Sequence, residues 1–232
     1  MDRYVSDEKI MTERVLVVAP HPDDETLGCG GTLLRMASEG AQIAWLIATS
    51  MSERDGYSAE SMAERKQEIV KVREAYGFCE VYALDLPARR LDTYPVAELV
   101  AEFSRVFKAY QPSELFLPHR QDVHTDHRSV FDAGSACAKW FRYDSVRRVF
   151  AYETLSETDF ALDAQPPFAP NYFINISEFL ERKIEIMSMY RSEIGEFPFP
   201  RSVEAIRALA TLRGASSGFR AAEAFQLLRE RY

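Results

Sequence analysis

The first two-thirds of the chain alternates short β-branched runs with longer amphipathic stretches, the pattern of a parallel sheet with crossover helices. Strands are expected at Val15–Ala19, Ile43–Ala48, Val81–Leu84, Leu115–Leu117 and Val149–Tyr152, with helices between them at Leu27–Ser38, Met62–Tyr76, Val96–Tyr110 and Arg128–Phe141. Gly40 and Gly77 stand just past the first two helices, where a left-handed cap favours glycine, and Ser61-Met62-Ala63-Glu64 reads as a capping box. After Tyr152 the rhythm changes. Ala164–Pro170 is a proline-rich connection, followed by an expected strand at Tyr172–Ile176 and a helix capped by Ser177 that runs through Met189. Two further helical patterns lie at Val203–Leu212 and Ala221–Arg231. The expectation is a Rossmann-like α/β fold, a mostly parallel sheet with a helical C-terminal extension. It forms one domain over residues 1–232, with a core at about 13–155 and a C-terminal portion at about 171–232 packed on it.

Composition narrows the class. Among 232 residues, 28 basic against 36 acidic side chains give a net charge of −8, which argues against nucleic acid as a partner. Cys29, Cys79 and Cys137 are odd in number and far apart, which fits a reducing, cytoplasmic setting better than a disulfide framework. The longest apolar runs fall far short of the roughly 20 residues that a membrane-spanning helix requires. The C-terminal helices could serve a homo-oligomer contact, and core packing explains them equally well.

The chemistry concentrates at two strand ends. The first strand runs into Pro20-His21-Pro22-Asp23-Asp24-Glu25, then into the small-residue run Gly28–Gly31 at a helix start. In an open α/β sheet, ligands bind beyond the carboxyl ends of the strands. Here the sequence supplies an imidazole and three acids in place of a phosphate-binding glycine loop, and such groups bind cations. His21 and Asp24 are spaced to converge on one helical turn, which leaves Asp23 pointing elsewhere. One carboxylate would then coordinate a metal while the other stays free as a general base. The fourth strand leads into His119-Arg120-Gln121-Asp122-Val123-His124-Thr125-Asp126-His127, which holds three of the chain's four histidines. His21, Asp24 and either His124 or His127 make a two-histidine, one-carboxylate set that suits catalytic zinc and equally non-haem iron(II). Asp126, between the two histidines, is placed to fix an imidazole tautomer. For His119 a plain structural role is favoured, and for Tyr190 a place in the core.

These two motifs resemble the LmbE-like, or PIG-L, family of zinc-dependent N-acetyl-sugar deacetylases. Weaker similarities are Arg65-x-x-Glu68 and Arg213-Gly214 with Gly218 and Ala222-Glu223-Ala224-Phe225. The resemblance implies that His21, Asp24 and His127 hold zinc, that Asp23 is the general base, and that His124 faces the acetyl carbonyl. Its substrate would be a small N-acetyl amino sugar of the N-acetylglucosamine type, hydrolysed to acetate and the free amine. Asp126, Arg65 and Glu25 are supporting or substrate-contacting candidates. Thr125 stands where the family commonly has proline, and its hydroxyl is expected to cap the following helix. Arg213 and Glu223 either pair structurally or contact substrate, and the segment Thr49–Gly56 could line the site. Two alternatives use the same ligands: an iron(II) oxygenase and a non-catalytic metal- or sugar-binding module.

Overall fold

The computed structural model describes residues 13–162 and 168–232, so most of the proline-rich connection, at 163–167, lies outside the described residues. The chain forms β1 (Arg14–Ala19), α1 (Asp24–Ser38), β2 (Gln42–Ser50), α2 (Ala59–Tyr76), β3 (Glu80–Pro87), α3 (Val96–Tyr110), β4 (Glu114–Pro118), α4 (Thr125–Ala136) and β5 (Arg148–Tyr152). It continues with β6 (Tyr172–Asn175), α5 (Leu180–Met187), α6 (Val203–Ser217) and β7 (Ala222–Glu230). One seven-stranded sheet runs in the order β3-β2-β1-β4-β5-β7-β6. The pairs from β3 through β5 are parallel, and β7 is antiparallel to both of its neighbours.

The sheet is covered on both faces, which is why β1 and β2 read as unbroken apolar runs. Val15, Val17 and Trp45 pack with Leu33 of α1, Val72 of α2, Ile184 of α5 and Ile206 of α6. Leu16, Val18 and Leu46 face the opposite way, onto Phe103 and Phe107 of α3 and Val130 of α4. The chain winds outward from β1 through β2 to β3 and then returns to the other side of β1 as β4. That reversal opens a crevice at the carboxyl ends of β1 and β4.

The predicted core strands and their helices are present, with shifts at the ends. Gly77 adopts the left-handed conformation that closes α2, as the sequence suggests. That helix starts earlier than expected, capped by Ser58, whose side chain accepts from the Ser61 N–H. The fourth crossover helix starts at Thr125 and ends at Ala136. Its cap is the imidazole of His124, so the Thr125 hydroxyl is not the cap. Ser177 does not cap α5 either; its N–H and hydroxyl both donate to the Asn175 side chain.

The main correction concerns the C-terminus. Of residues 221–231, expected as a helix, Ala222–Glu230 form the strand β7 between β5 and β6. Its composition favours helix, but Ala222–Phe225 is buried between two strands that need its backbone groups, and that pairing overrides local propensity. The C-terminal extension is therefore mixed, two strands completing the sheet and two helices covering it.

Candidate active site

The crevice is built from the turn after β1 and the loop after β4. Two groups of ligating atoms, each within 4.8 Å of one another, share His21: one with Asp24 and His127, the other with His124 and Asp126. Asp24 Oδ2 lies 3.4 Å from His21 Nδ1 and 3.3 Å from His127 Nε2, and it accepts from the His21 N–H at 2.8 Å. The His127 ring is fully buried and its Nδ1 bonds Asp122 Oδ2 at 2.7 Å, while Nε2 is a buried nitrogen without an aligned hydrogen-bond partner. A nitrogen held from behind by a carboxylate and aimed at a second carboxylate and a second imidazole is the environment of a metal ligand. The donor set of two imidazoles and one carboxylate fits zinc or another divalent transition metal.

The electrostatics agree with that fit. Burial works against an imidazolium at His21, but hydrogen bonds to Asp126 and Asp24 outweigh it and raise its pKa to about 9. Burial likewise opposes charge on His127, and Asp24 and Asp122 raise its pKa well above the usual value. Burial would raise Asp24, yet the neighbouring His127 and His21 hold it well below the ordinary carboxylate range.

Asp23 turns the other way. Its carboxylate Oδ2 accepts from Arg201 Nη1 at 2.7 Å and lines the cavity. Burial, followed by the adjacent Asp24 charge, raises its pKa well above 3.8, with Arg201 pulling in the opposite sense. The divergence has a backbone cause. Asp23 sits at φ 135° and ψ −28°, a conformation costly for any residue with a side chain, and it swings the two neighbouring carboxylates apart. Glu25 Oε2 accepts the Asp23 N–H, and its Oε1 accepts from Tyr190 and Thr26. Buried in this way, Glu25 is pushed up to about 7.

His124 Nδ1 accepts the Asp126 N–H at 3.1 Å, so the neutral ring carries its proton on Nε2. Burial and the neighbouring His21 lower its pKa to about 4, which keeps it neutral. Asp126 does orient a histidine, but that histidine is His21, whose Nε2 lies 3.0 Å from Asp126 Oδ2. The other partners of Asp126 are the Arg89 and Leu91 N–H groups, and the carboxylate behind His127 is Asp122.

Arg65 is buried and contacts the protein. It donates to the Pro22 carbonyl at 2.7 Å, pairs with Glu68 and Glu193, and still lines the cavity. Tyr190 is fully buried core, wired to the site through Glu25. Arg213 and Glu223 do not meet. The first is bidentate to Glu153; the second bonds Lys183 and the N–H groups of Gly31 and Thr32 in α1. His119 is buried, edge-on to Phe168, and belongs to neither ligating group. Sequence reasoning missed Arg201 and Glu193. Glu193 bridges Arg65 and Arg201, and no spacing signal links either residue to Asp23.

An open α/β sheet that gathers two imidazoles and a carboxylate at its switch point, with a second buried carboxylate beside them, defines a candidate metal-centred enzyme. Residues 16–138 match the family described as PIG-L, GlcNAc-PI de-N-acetylase, and the chain belongs to that family. A diacetylchitobiose deacetylase from Thermococcus kodakarensis is 26% identical over 224 residues, covering 93% of this chain and 83% of that protein. A probable N-acetyl-alpha-D-glucosaminyl L-malate deacetylase 2 from Bacillus cereus is 26% identical over 196 residues, 79% of this chain and 84% of that protein. Among solved structures, the conserved protein TT1542 from Thermus thermophilus superposes with a TM-score of 0.75 at 28% identity, covering 94% of this chain and 96% of that one.

Proposed function

We propose that the protein is a zinc-dependent N-deacetylase that hydrolyses the acetamide of a small N-acetyl amino sugar. The reading is carried by the divergence of two adjacent carboxylates that line one cavity, Asp24 toward His21 and His127, Asp23 toward Arg201. Family membership and relatives that deacetylate N-acetyl sugars support the same substrate class. His21, Asp24 and His127 would hold the zinc, which supplies Lewis-acid polarisation and a more acidic water.

The remaining chemistry falls to this chain's own groups. Asp23 takes the proton from the attacking water as general base, and its raised proton affinity lets it keep that proton for the leaving amine. Arg201 holds the Asp23 carboxylate in place, and Glu25 holds its backbone. His124, neutral with its proton on Nε2, donates a hydrogen bond to the carbonyl oxygen as negative charge develops there. The oxygenase and the non-catalytic alternatives use the same ligands but give this buried carboxylate only its structural pairing with Arg201 and no part in proton transfer.

The test is acetate release from N-acetylglucosamine derivatives by the metal-loaded protein. Asp23→Asn should retain the metal and lose about 10²- to 10⁴-fold in turnover, the usual weight of a general base. Deacetylation at the unsubstituted rate would overturn the assignment of the base. Oxygen uptake with iron bound, and no acetate, would favour the oxygenase.

A further inference from the structure

The cavity extends past the polar cluster. Beside His21, Asp23, Asp24 and His124, the same cavity of about 230 Å³ includes a cleft between the N-terminal half of α2 and the β2–β3 edge of the sheet. Ile47, Met51, Met62, Ile69 and Ala83 line it. The cleft exists because α2 is packed unevenly. Val72 and Tyr76, near its end, are buried in the core, whereas Met62 and Ile69, two turns apart on one side of the helix, are only part-buried. Opposite them, Ile47 and Ala83 are direct partners across β2 and β3 and so present their side chains to the same face. Apolar side chains of α2 and of the β2–β3 edge therefore line one cavity, with Ile69 packed against the core cluster that buries Ile47 while Met62 and Ala83 keep some exposure. Exposed polar side chains, Lys66, Asp85 and Arg89, line the same cavity.

We propose that this cleft takes an apolar aglycone, so that the substrate is an N-acetyl amino sugar bearing an alkyl or aryl group. The inference rests on the deacetylase reading. With the acetamide at Asp23 and His124, the rest of a substrate in this cavity extends toward α2 and β3, because the cavity is continuous in that direction. An unsubstituted sugar could find hydrogen-bond partners in Lys66, Asp85 and Arg89, but it would leave the thioether and aliphatic part of the same lining in contact with water. An apolar substituent would remove that part from water. Met51 and Met62 are unbranched and adapt to the shape of what they cover, which suits a chain better than a rigid ring of fixed hydroxyls.

The experiment compares the methyl, butyl and hexyl glycosides of N-acetylglucosamine as substrates of the zinc-loaded full chain. In parallel, binding of methyl, butyl and hexyl glucosides, which lack the acetamide, is followed by titration calorimetry. Both kcat/KM and affinity should rise by about fourfold per methylene until the cleft is filled. Met62→Glu should flatten both series. Val70→Glu, which places the same charge on an exposed part of α2, should leave them steep. Should Met62→Glu fail to fold, Met62→Gln makes the same comparison. Acetate released equally from all three glycosides, with flat binding, overturns the aglycone assignment and leaves the deacetylase reading standing. Binding that steepens with chain length without any acetate release supports the cleft and overturns the deacetylase reading. Flattening by Val70→Glu as well as Met62→Glu shows that the dependence arises elsewhere, and the assignment falls.

Discussion

Asp122→Asn tests whether the ligand geometry depends on the carboxylate behind His127. Asp122 and His127 are both fully buried, and the Nδ1 to Oδ2 distance of 2.7 Å is that of a charge-assisted hydrogen bond. Asparagine keeps the shape. Its carbonyl can accept from Nδ1, and its amide can donate to the Thr158 hydroxyl that now donates to Asp122 at 2.6 Å. What is lost is the charge. A hydrogen bond to a charged group contributes about 1.5–3 kcal/mol and a neutral one about 0.5–1.5, so the difference is about 1–1.5 kcal/mol. Carried into the basicity of Nε2, that corresponds to about tenfold weaker metal binding, the lower end of what loss of such an outer partner costs. Competition with a chromogenic zinc chelator measures it, with circular dichroism confirming the fold. An unchanged dissociation constant would refute the argument that Asp122 tunes His127, and would also weaken the placement of His127 among the ligands.

Two further outcomes follow from the charges and the packing. In the metal-free protein His21, raised to about 9, holds a proton at pH 7.5, and His127 is shifted in the same direction, so zinc binding should release at least one proton. Calorimetry in buffers of different ionisation enthalpy counts the protons, and no release would contradict the proposed ligands. Because both pKa values are raised in the fold, their contribution to the stability of the metal-free form is present below about 6.5 and is lost as pH rises through about 9 for His21. Thermal melts of chelator-treated protein at pH 6.5 and 9.5 should show that fall. Gly28→Ala should destabilise the fold by about 1–3 kcal/mol, since a Cβ there would run into the Tyr152 ring, which is anchored by its hydroxyl to the Val18 carbonyl. Chemical denaturation reads this directly, and an unchanged midpoint would mean that the ring can move aside.

How much could be read from the chain depends on how local each feature is. The alternation that marks β1 through β5 is a property of short windows, and the placement of His21 and His127 beyond two strand ends follows from it, whereas the adjacency of β1 and β4 comes from the folded sheet. The split between Asp23 and Asp24 is legible as an expectation, because spacing alone turns only one of them toward His21. The strand β7 is not legible, since its residues favour helix and its conformation is set by partners that lie up to 82 residues away in sequence at Arg148. Asp122 stands inside the histidine-rich motif, but the spacing points equally to Asp126, and only the folded loop shows which histidine each serves. Arg201 is 178 residues from Asp23 and belongs to no periodic pattern, so no local signal exists to find it.

The backbone at Asp23 has a consequence for how this position can vary. Glycine would adopt φ 135° without steric cost, and it would leave no carboxylate to bury beside Asp24. Folding and chemistry thus call for different residues at the same place. Under the proposed function, the strained turn is kept for a carboxylate that also pairs with Arg201, so a substitution that relieves the backbone removes the base and leaves Arg201 without that partner.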